Sequence, residues 1–357
     1  MAINRRTFIQ GLAIAGTGFL PLTRAMASES EKGGYIIGAC RLTGDSYGVS
    51  CINLAGELQW QLPLPARGHE VALHPNLPIG VAVARRPERF IVLFDSNNGE
   101  LLQTIELEEQ LKLNGHSVWL NNELILSGSD RASSEMRLLA FQLDTNSRRL
   151  SRTMTHHYDL LGPHQMVLDG ENLWLAIGGL HTDGRKVLNK ETLQSSLVLV
   201  DAQTRQLKLK VDAPVPNLSL RHLSVSNSAE VYIAGQYQLA TENAPALLFK
   251  LAGDQLIPFS MPDSFWPKVD GYIGSIACTE STVVATSPRG HWLGEFDQQT
   301  LELKNQLLSR DICAVTDSGI GPIAGTGTGY IHTPEGRIRS SVRWDNHFTF
   351  KAKTNWS

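Results

Sequence analysis

A histidine returns along this chain at nearly constant intervals, each time at the head of a short apolar segment. His69 opens "HEVALHPNLPIGVAVARRPERFIVLFDSNNGELLQTIEL", His116 opens "HSVWLNNELILSGSDR", His164 opens "HQMVLDGENLWLAIGG" and His222 opens "HLSVSNSAEVYIAGQ". A fifth copy starts at Ser275 and a sixth at Ile312, giving intervals of 47, 48, 58, 53 and 37 residues. Each copy reads as strand, turn, strand, loop, strand, turn, strand. Short apolar or alternating runs are divided by turn signals such as "DSNNGE" and "LDGEN", and β-branched and aromatic residues gather in the runs. Helical periodicity is nearly absent. Four strands per ~40–50 residues is the spacing of a propeller blade.

Six copies leave both ends over, and the two ends fit each other. The stretch "YIIGACRLTGDSYGVSCINLAGELQWQLPL" supplies three strands without an opening one, and "WDNHFTFKAKT" supplies one strand with His347 near its start. Joined, residues 35–63 and 344–354 complete a seventh blade. The predicted fold is therefore all-β, a seven-bladed β-propeller occupying residues 35–357 as one domain, its ring closed by strands from both termini. Six or eight blades are the alternatives, because the fifth and sixth copies are less regular.

The first 27 residues read as an address. "MAINRRTFIQGLAIAGTGFLPLTRAMA" has a basic start, a modest apolar run from Phe8 to Leu22 and a small-x-small end at Ala25-Met26-Ala27. Arg5-Arg6 followed by Thr7, Phe8 and Ile9 resembles the twin-arginine export signal. The expectation is a periplasmic protein starting near Ser28, with residues 28–34 as a short linker. No other apolar run approaches the ~18 residues that span a bilayer. The 357 residues carry 32 Lys and Arg against 35 Asp and Glu, a net charge of −3, with no basic run interleaved with aromatics. That balance argues against nucleic acid or an anionic membrane surface as partner, and the chain is expected to be a monomer.

Four cysteines remain after the predicted cleavage, at 40, 51, 278 and 313, with no CxxC pair. Cys40 and Cys51 flank a hairpin signal at Gly44-Asp45. They are expected either to face each other across two strands as a disulfide, which the periplasm permits, or to stay buried as thiols.

In a propeller the first strand of each blade lines the central channel, and its start shares one mouth with the loop joining the second and third strands. His69, His116, His164, His222 and His347 would all sit at that mouth, in five contiguous blades, with Ser275 and Ile312 in the other two. The same mouth gathers cations: Arg67 and Arg221 just before their strands, Arg85, Arg86 and Arg89 in "RRPER", Arg131 in "SDR", His181 and Arg185 in "GGLHTDGR", and Arg289 and His291 in "SPRGH". Five imidazoles at one mouth suit iron, copper, nickel or zinc, and arginine forks suit carboxylate or phosphate-like donors. A repeated histidine can equally be a duplicated structural feature. "GTGTGYIH" lacks the Lys-Ser/Thr of a phosphate loop, Asp95, Asp144 and Asp201 end third strands as turn residues, and no G-x-S-x-G elbow occurs.

Taken together, the twin-arginine start, "RGHEVALHP", "VAVARRPERF", "GPHQ", "GGLHTDGR", "LSLRHLS", "TSPRG" and the terminal "WDNH" resemble the domain of unknown function 1513 family over essentially the whole mature chain. The resemblance implies a periplasmic propeller similar to YVTN-type and quinoprotein-like ones. It also implies a place in iron handling beside imelysin-type and di-haem oxidoreductase-like proteins. Three functions stay open. The first is a binding protein holding a transition metal, or an anionic metal chelate, on His69, His116, His164, His222 and His347 with Arg67, Arg85, Arg131, Arg185, Arg221 and Arg289. The second is a scaffold in a periplasmic iron-uptake complex. The third is a propeller enzyme: a lyase, a hydrolase or a metal oxidoreductase. For a metal site, affinity is expected to fall as pH drops through ~6.5, where imidazole protonates.

Overall fold

The computed structural model describes residues 33–353 except Arg185; the predicted signal and most of the predicted linker lie outside the described residues. Seven four-stranded antiparallel sheets make up the domain. Blade 1 is built from strands Gly68–Leu73, Ile79–Ala84, Phe90–Asp95 and Leu101–Glu106, paired in that order. Its two middle strands, "IGVAVA" and "FIVLFD", are buried along their whole length, while the fourth has only exposed and half-buried positions. That is the pattern expected of a sheet covered on both faces by its neighbours, with its outer edge in water.

The inner strands of blades 2 to 6 are Leu111–Leu120, Pro163–Asp169, Leu218–Val225, Ser275–Cys278 and Ile312–Asp317. Blade 7 combines strands from both ends: Arg343–Ala352 is innermost, followed by Gly34–Arg41, Tyr47–Asn53 and Leu58–Leu64. Each inner strand packs against the next, and the one from blade 7 packs against that of blade 1, so the ring closes on itself. The seven blades and the joint between the ends are thus as the repeat spacing predicts, and the six- and eight-blade alternatives fall away.

Polar contacts stitch the last strand to the first blade, among them Lys351 Nζ to Ser96 Oγ at 2.9 Å and to Asn97 Oδ1 at 2.6 Å. Arg67 pairs through two nitrogens with Asp345, Asn346 Nδ2 donates to Gly68 O at 3.4 Å, and Thr349 Oγ1 donates to Val71 O at 2.6 Å. Apolar side chains fill the spaces between blades; Trp344 and Phe348 from the last strand join Ile36, Cys40, Ile52, Cys313 and Ile331 in one such cluster.

Of the two alternatives for Cys40 and Cys51, the structure excludes the disulfide and shows buried thiols. Cys40 stands opposite Gly48 and Cys51 opposite Ile37, so the two side chains leave opposite faces of the sheet. They enter different cores, Cys40 beside Ile36 and Cys51 beside Ile37. All four cysteines are free thiols. The hairpin is present as its turn signal predicts, but the two positions differ by eleven, an odd number, and in an antiparallel hairpin side-chain direction alternates with every residue.

Two features interrupt the plain repeat. In blade 3 a small hairpin, Thr182–Asp183 with Lys186–Val187, is inserted between the second and third strands. Between blades 4 and 5 a 3-10 segment, Asp263–Val269, buries Trp266 completely.

Candidate functional site

All five repeat histidines lie on inner strands, and beside each one the pairing with the second strand slips. The register breaks between Gly68 and Glu70, Leu113 and Ser117, Pro163 and Met166, and Leu220 and His222. In blade 7 the pairs Trp344–Cys40 and Phe348–Gly38 leave Asp345, Asn346 and His347 opposite the single residue Ala39. A β-bulge bends its strand and re-aims the side chain it carries; here five bulges turn five imidazoles into the channel. Of the two blades without the histidine, blade 5 pairs without a slip and blade 6 slips between Ile312 and Ala314, around Cys313. The sequence reading placed the histidines at strand starts. The correction is clearest at His116, the sixth of ten residues in Leu111–Leu120. None of the five is more than 7% exposed.

Gly115 shows how closely the site is built. It sits in the bulge before His116 with φ +98°, and a Cβ there would lie 2.2 Å from Cδ2 of His69. Any side chain at 115 would therefore be strained in its backbone and would displace an imidazole.

The five rings form a compact cluster with the outline of a square pyramid. His116 is in ring contact with all four others, at centroid separations of 4.7 Å to His69, 4.7 Å to His164, 5.8 Å to His222 and 5.1 Å to His347. Those four make the base, with sides of 5.4 Å (His69–His164), 4.9 Å (His164–His222), 4.9 Å (His222–His347) and 4.9 Å (His347–His69). Two overlapping triads, His69–His116–His164 and His116–His222–His347, each bring their ligating nitrogens within 4.8 Å of one another. The Nε2 atoms of His69 and His116 are 3.1 Å apart. Two nitrogens bound at right angles to one ion, at ~2.0–2.1 Å each, stand ~3 Å apart.

Neighbouring blades fix the far side of two imidazoles by the same device. The residue after one histidine reaches the histidine of the next blade. Glu70 Oε2 accepts from His116 Nδ1 at 3.0 Å and from the Ser117 amide at 3.2 Å; Gln165 Oε1 accepts from His222 Nδ1 at 3.2 Å and from the Leu223 amide at 3.1 Å. With the proton held on Nδ1, the lone pair is on Nε2, as in metal-ligating histidines backed by a carboxylate or amide oxygen. Ser275 Oγ lies 3.3 Å from His347 Nδ1, so the serine of blade 5 takes part after all, as a support across the channel. His69 Nδ1 is buried with no hydrogen-bond partner, an orphan polar atom in the middle of the cluster.

Burial, reinforced by the neighbouring imidazoles and by Arg85 and Arg221, holds His69, His164, His222 and His347 well below the ordinary value of 6.5. Desolvation is the largest cause for each, because a charged ring would lose its hydration. These imidazoles are neutral at physiological pH and stay so below it.

A cavity of about 290 Å³ stands over the base of the pyramid. It is lined by His69, His164, His222 and His347, by Arg85, Arg86, Arg221 and Arg289, and by Asn114, Gln236, Tyr272, Gly274 and Asn346. His116 is absent from this lining and fully buried, so the apex points inward and the base faces the cavity. The lining holds four arginines and no carboxylate.

The structure thus brings together three of the six predicted ligand arginines. Arg221 is the most enclosed: it is 9% exposed, its Nε is buried without a partner, and burial together with the charges of Arg86 and Arg85 lowers it to about 9. Arg289 stacks its guanidinium 4.1 Å from the Tyr272 ring centre and stands 3.5 Å from Asp270. Arg85 lies at the cavity wall. Arg67 is engaged with Asp345 in ring closure, Arg131 is exposed in a separate cleft with Glu88, Glu106 and Glu109, and Arg185 is outside the described residues. The His181 ring lies against Ala132 O, and the His291 ring against Pro288 O and the Asp311 amide, away from the cavity lining.

Sequence reasoning left Arg86 out of the ligand set and missed Gln236, Tyr272, Asn114 and Asn346. The first was legible beside Arg85, but Asn114 and Asn346 reach the cavity through bulges, Tyr272 follows the 3-10 connection before blade 5, and Gln236 stands on the second strand of blade 4; the repeat pattern does not single out these positions. Lys112 was also missed. It is buried on the inner strand of blade 2, donates to Ser134 Oγ at 2.7 Å and to Thr182 O at 3.0 Å, and is lowered to about 8, chiefly by burial. It ties the inserted hairpin down over this mouth.

Comparison with known structures shows the same architecture at low identity. A chain of Kuenenia stuttgartiensis hydrazine synthase superposes with a TM-score of 0.60 at 12% identity, covering 84% of this chain and 93% of that one. Sqt1 of Saccharomyces cerevisiae gives a TM-score of 0.50 at 11% identity over 77% of this chain and 84% of its own. These likenesses show the fold alone. No curated protein matches the sequence. The family described as "Protein of unknown function (DUF1513)" matches residues 62–350, from the last strand before blade 1 through most of the closing strand, and the chain belongs to that family.

Proposed function

We propose that this propeller is a transition-metal-binding protein of the periplasm, with the ion held among His69, His116, His164, His222 and His347. The observation that carries this reading is the convergence of five buried imidazoles on one point, with ligating nitrogens already close to metal-ligand spacing and the far side of His116 and His222 held by Glu70 and Gln165. A purely structural histidine repeat would satisfy each ring within its own blade. Here the rings face one another, which brings five lone-pair donors together at a cost in desolvation that a bound cation would repay.

The donor set selects among metals. Imidazole nitrogen without thiolate suits iron, copper, nickel or zinc, and the absence of oxygen donors in the cluster disfavours calcium and magnesium. The twin-arginine start supports delivery of a folded, metal-loaded protein to the periplasm, and the family resemblance favours iron and periplasmic iron-uptake proteins as partners.

Elemental analysis of protein purified natively from the periplasm tests the proposal. About one equivalent of a transition metal is expected, and none in a His116→Ala/His164→Ala variant whose circular dichroism remains that of a β-propeller. Metal-free wild-type protein that binds none of iron, copper, nickel or zinc more tightly than about 100 μM would refute it, and the histidine cluster would then be architecture.

A further inference from the structure

We infer that the cavity over the metal is the seat of a small organic di- or tricarboxylate, one carboxylate bound to the ion on the open side of the histidine pyramid and another held by Arg221 and Arg289. The inference rests on the metal reading and adds the second ligand.

Three observations carry it. The pyramid has its apex, His116, buried inward and its four-histidine base toward the cavity. An ion seated there would keep one approach free, and that approach opens into the cavity. The lining is cationic: four arginines and no carboxylate, with three neutral side-chain amides, Tyr272 and Gly274 besides the histidines. Among them Arg221 is nine-tenths buried, makes no ion pair among the described residues, and leaves its Nε without a partner. A buried guanidinium unpaired with an acid is costly to keep, and the planar fork of arginine fits a carboxylate in two-point contact. Backbone room is reserved for it: a Cβ on Gly178 would stand 2.9 Å from Nη1 of Arg221.

Size decides between ligand classes. A cavity of about 290 Å³ holds roughly ten water volumes at ~30 Å³ each and falls at the small end of ligand pockets, ~300–1,000 Å³. A lone phosphate or acetate would leave much of it to water. A haem-sized chelate would not enter. A compact polycarboxylate fills it and can span from ion to guanidinium, while Asn114, Gln236 and Asn346 offer amides for its remaining oxygens.

Cobalt(II) serves as the probe, because its visible bands report changes in ligation. Metal-free protein is loaded with one equivalent and titrated with malonate and tricarballylate, which strip cobalt weakly, and in parallel with acetate and inorganic phosphate. The polycarboxylates are expected to shift the bands and to bind at least tenfold more tightly than to metal-free protein. They should also bind at least tenfold more tightly than acetate or phosphate. Arg221→Met should weaken that binding tenfold or more in protein whose spectrum shows bound cobalt. Arg289→Gln, at a position whose side chain is 58% exposed, should weaken it several-fold in protein with an unchanged circular dichroism spectrum.

Unchanged bands at 10 mM polycarboxylate in cobalt-loaded protein would overturn the inference and leave the metal reading standing. Equal binding of phosphate or acetate would overturn it as well. A protein that never develops cobalt bands fails earlier, at the metal reading itself, and the two failures are told apart by the spectrum before any anion is added.

Discussion

Removing the closing strand should unfold the whole domain. A chain ending at Val342 loses Arg343–Ala352, the innermost strand of blade 7, which pairs with Gly34–Arg41 at seven positions and packs on the inner strands of both neighbouring blades. Two of its side chains are large and nearly fully buried, Trp344 at 2% and Phe348 at 4% exposure. Truncating a buried Trp or Phe to Ala costs ~3–5 kcal/mol, so these two account for ~6–10 kcal/mol. Their rings touch edge to face with centroids 5.3 Å apart, and contacting residues share part of that energy, so the sum is an upper figure. Lost ladder bonds add ~0.5–1.5 kcal/mol each. The total meets or exceeds the ~5–15 kcal/mol that holds a domain together.

The assay is thermal or denaturant unfolding of three proteins beside the wild type. The truncated chain should show no cooperative transition. Trp344→Ala/Phe348→Ala should fold with a loss of roughly 5–8 kcal/mol, below the additive figure because the rings are in contact. Leu308→Ala, at a position 79% exposed on an outer strand, should change stability by less than about 0.5 kcal/mol. A truncated chain that melts as sharply and as high as the wild type would show that the blades stand without closure, and that the terminal strand is not what holds the ring together.

Three further outcomes are expected. Burial keeps His69, His164, His222 and His347 neutral below 6.5, so the unfolded chain takes up protons first as pH falls. Stability of metal-free protein present at pH 7 is then lost below about 6.5, by up to ~1.4 kcal/mol per histidine per pH unit; denaturant midpoints at pH 7.5 and 5.5 measure it, and equal midpoints would contradict the buried neutral cluster. Gly115→Ala should abolish metal uptake in the natively purified protein and cost ~1–3 kcal/mol of backbone strain, whereas Gly170→Ala, where a Cβ meets nothing within 4 Å, should leave metal content unchanged. Mass spectrometry of denatured, unreduced protein alkylated with iodoacetamide should find all four cysteines modified. In the native protein Cys40, Cys51 and Cys313, raised by burial to about 11, 12 and 12, should stay unreacted at pH 8.

The fold was legible because a propeller repeats its instructions. Four runs per copy, turn residues between them and a fragment at each end that lacked what the other held were enough to count blades and close the ring. The pieces that the repeat does not generate were harder to see. The inserted hairpin of blade 3 looked like a loop because its strands are two residues long. The 3-10 segment that brings Trp266 into the core is too short for periodicity to register. The disulfide alternative failed on register and alternation: Cys40 and Cys51 share a hairpin, but Cys51 stands three positions beyond the residue opposite Cys40 and points to the other face.

The histidines raise a different question, because duplication alone can place a residue at equivalent positions in every blade without giving it work. What separates the two explanations is how the copies differ. If the histidine were only a blade fastener, its partner would be the same in each copy. Here the following residue is Glu70 in blade 1, Ser117 in blade 2 and Gln165 in blade 3. The oxygens of Glu70 and Gln165 hold His116 and His222, while the hydroxyl of Ser117 is buried without a partner. The bulges differ as well: one unpaired residue at His69, three at Asn114–His116 and three at Asp345–His347. Unequal bulges applied to equivalent strands do not produce a seven-fold ring of side chains. They raise one imidazole to an apex and set four in a base beneath a cavity walled by arginine, an asymmetric arrangement built from a symmetric fold. Symmetry that a fold would keep without effort has been broken where the five rings meet, and that is the physical ground for reading the cluster as a site.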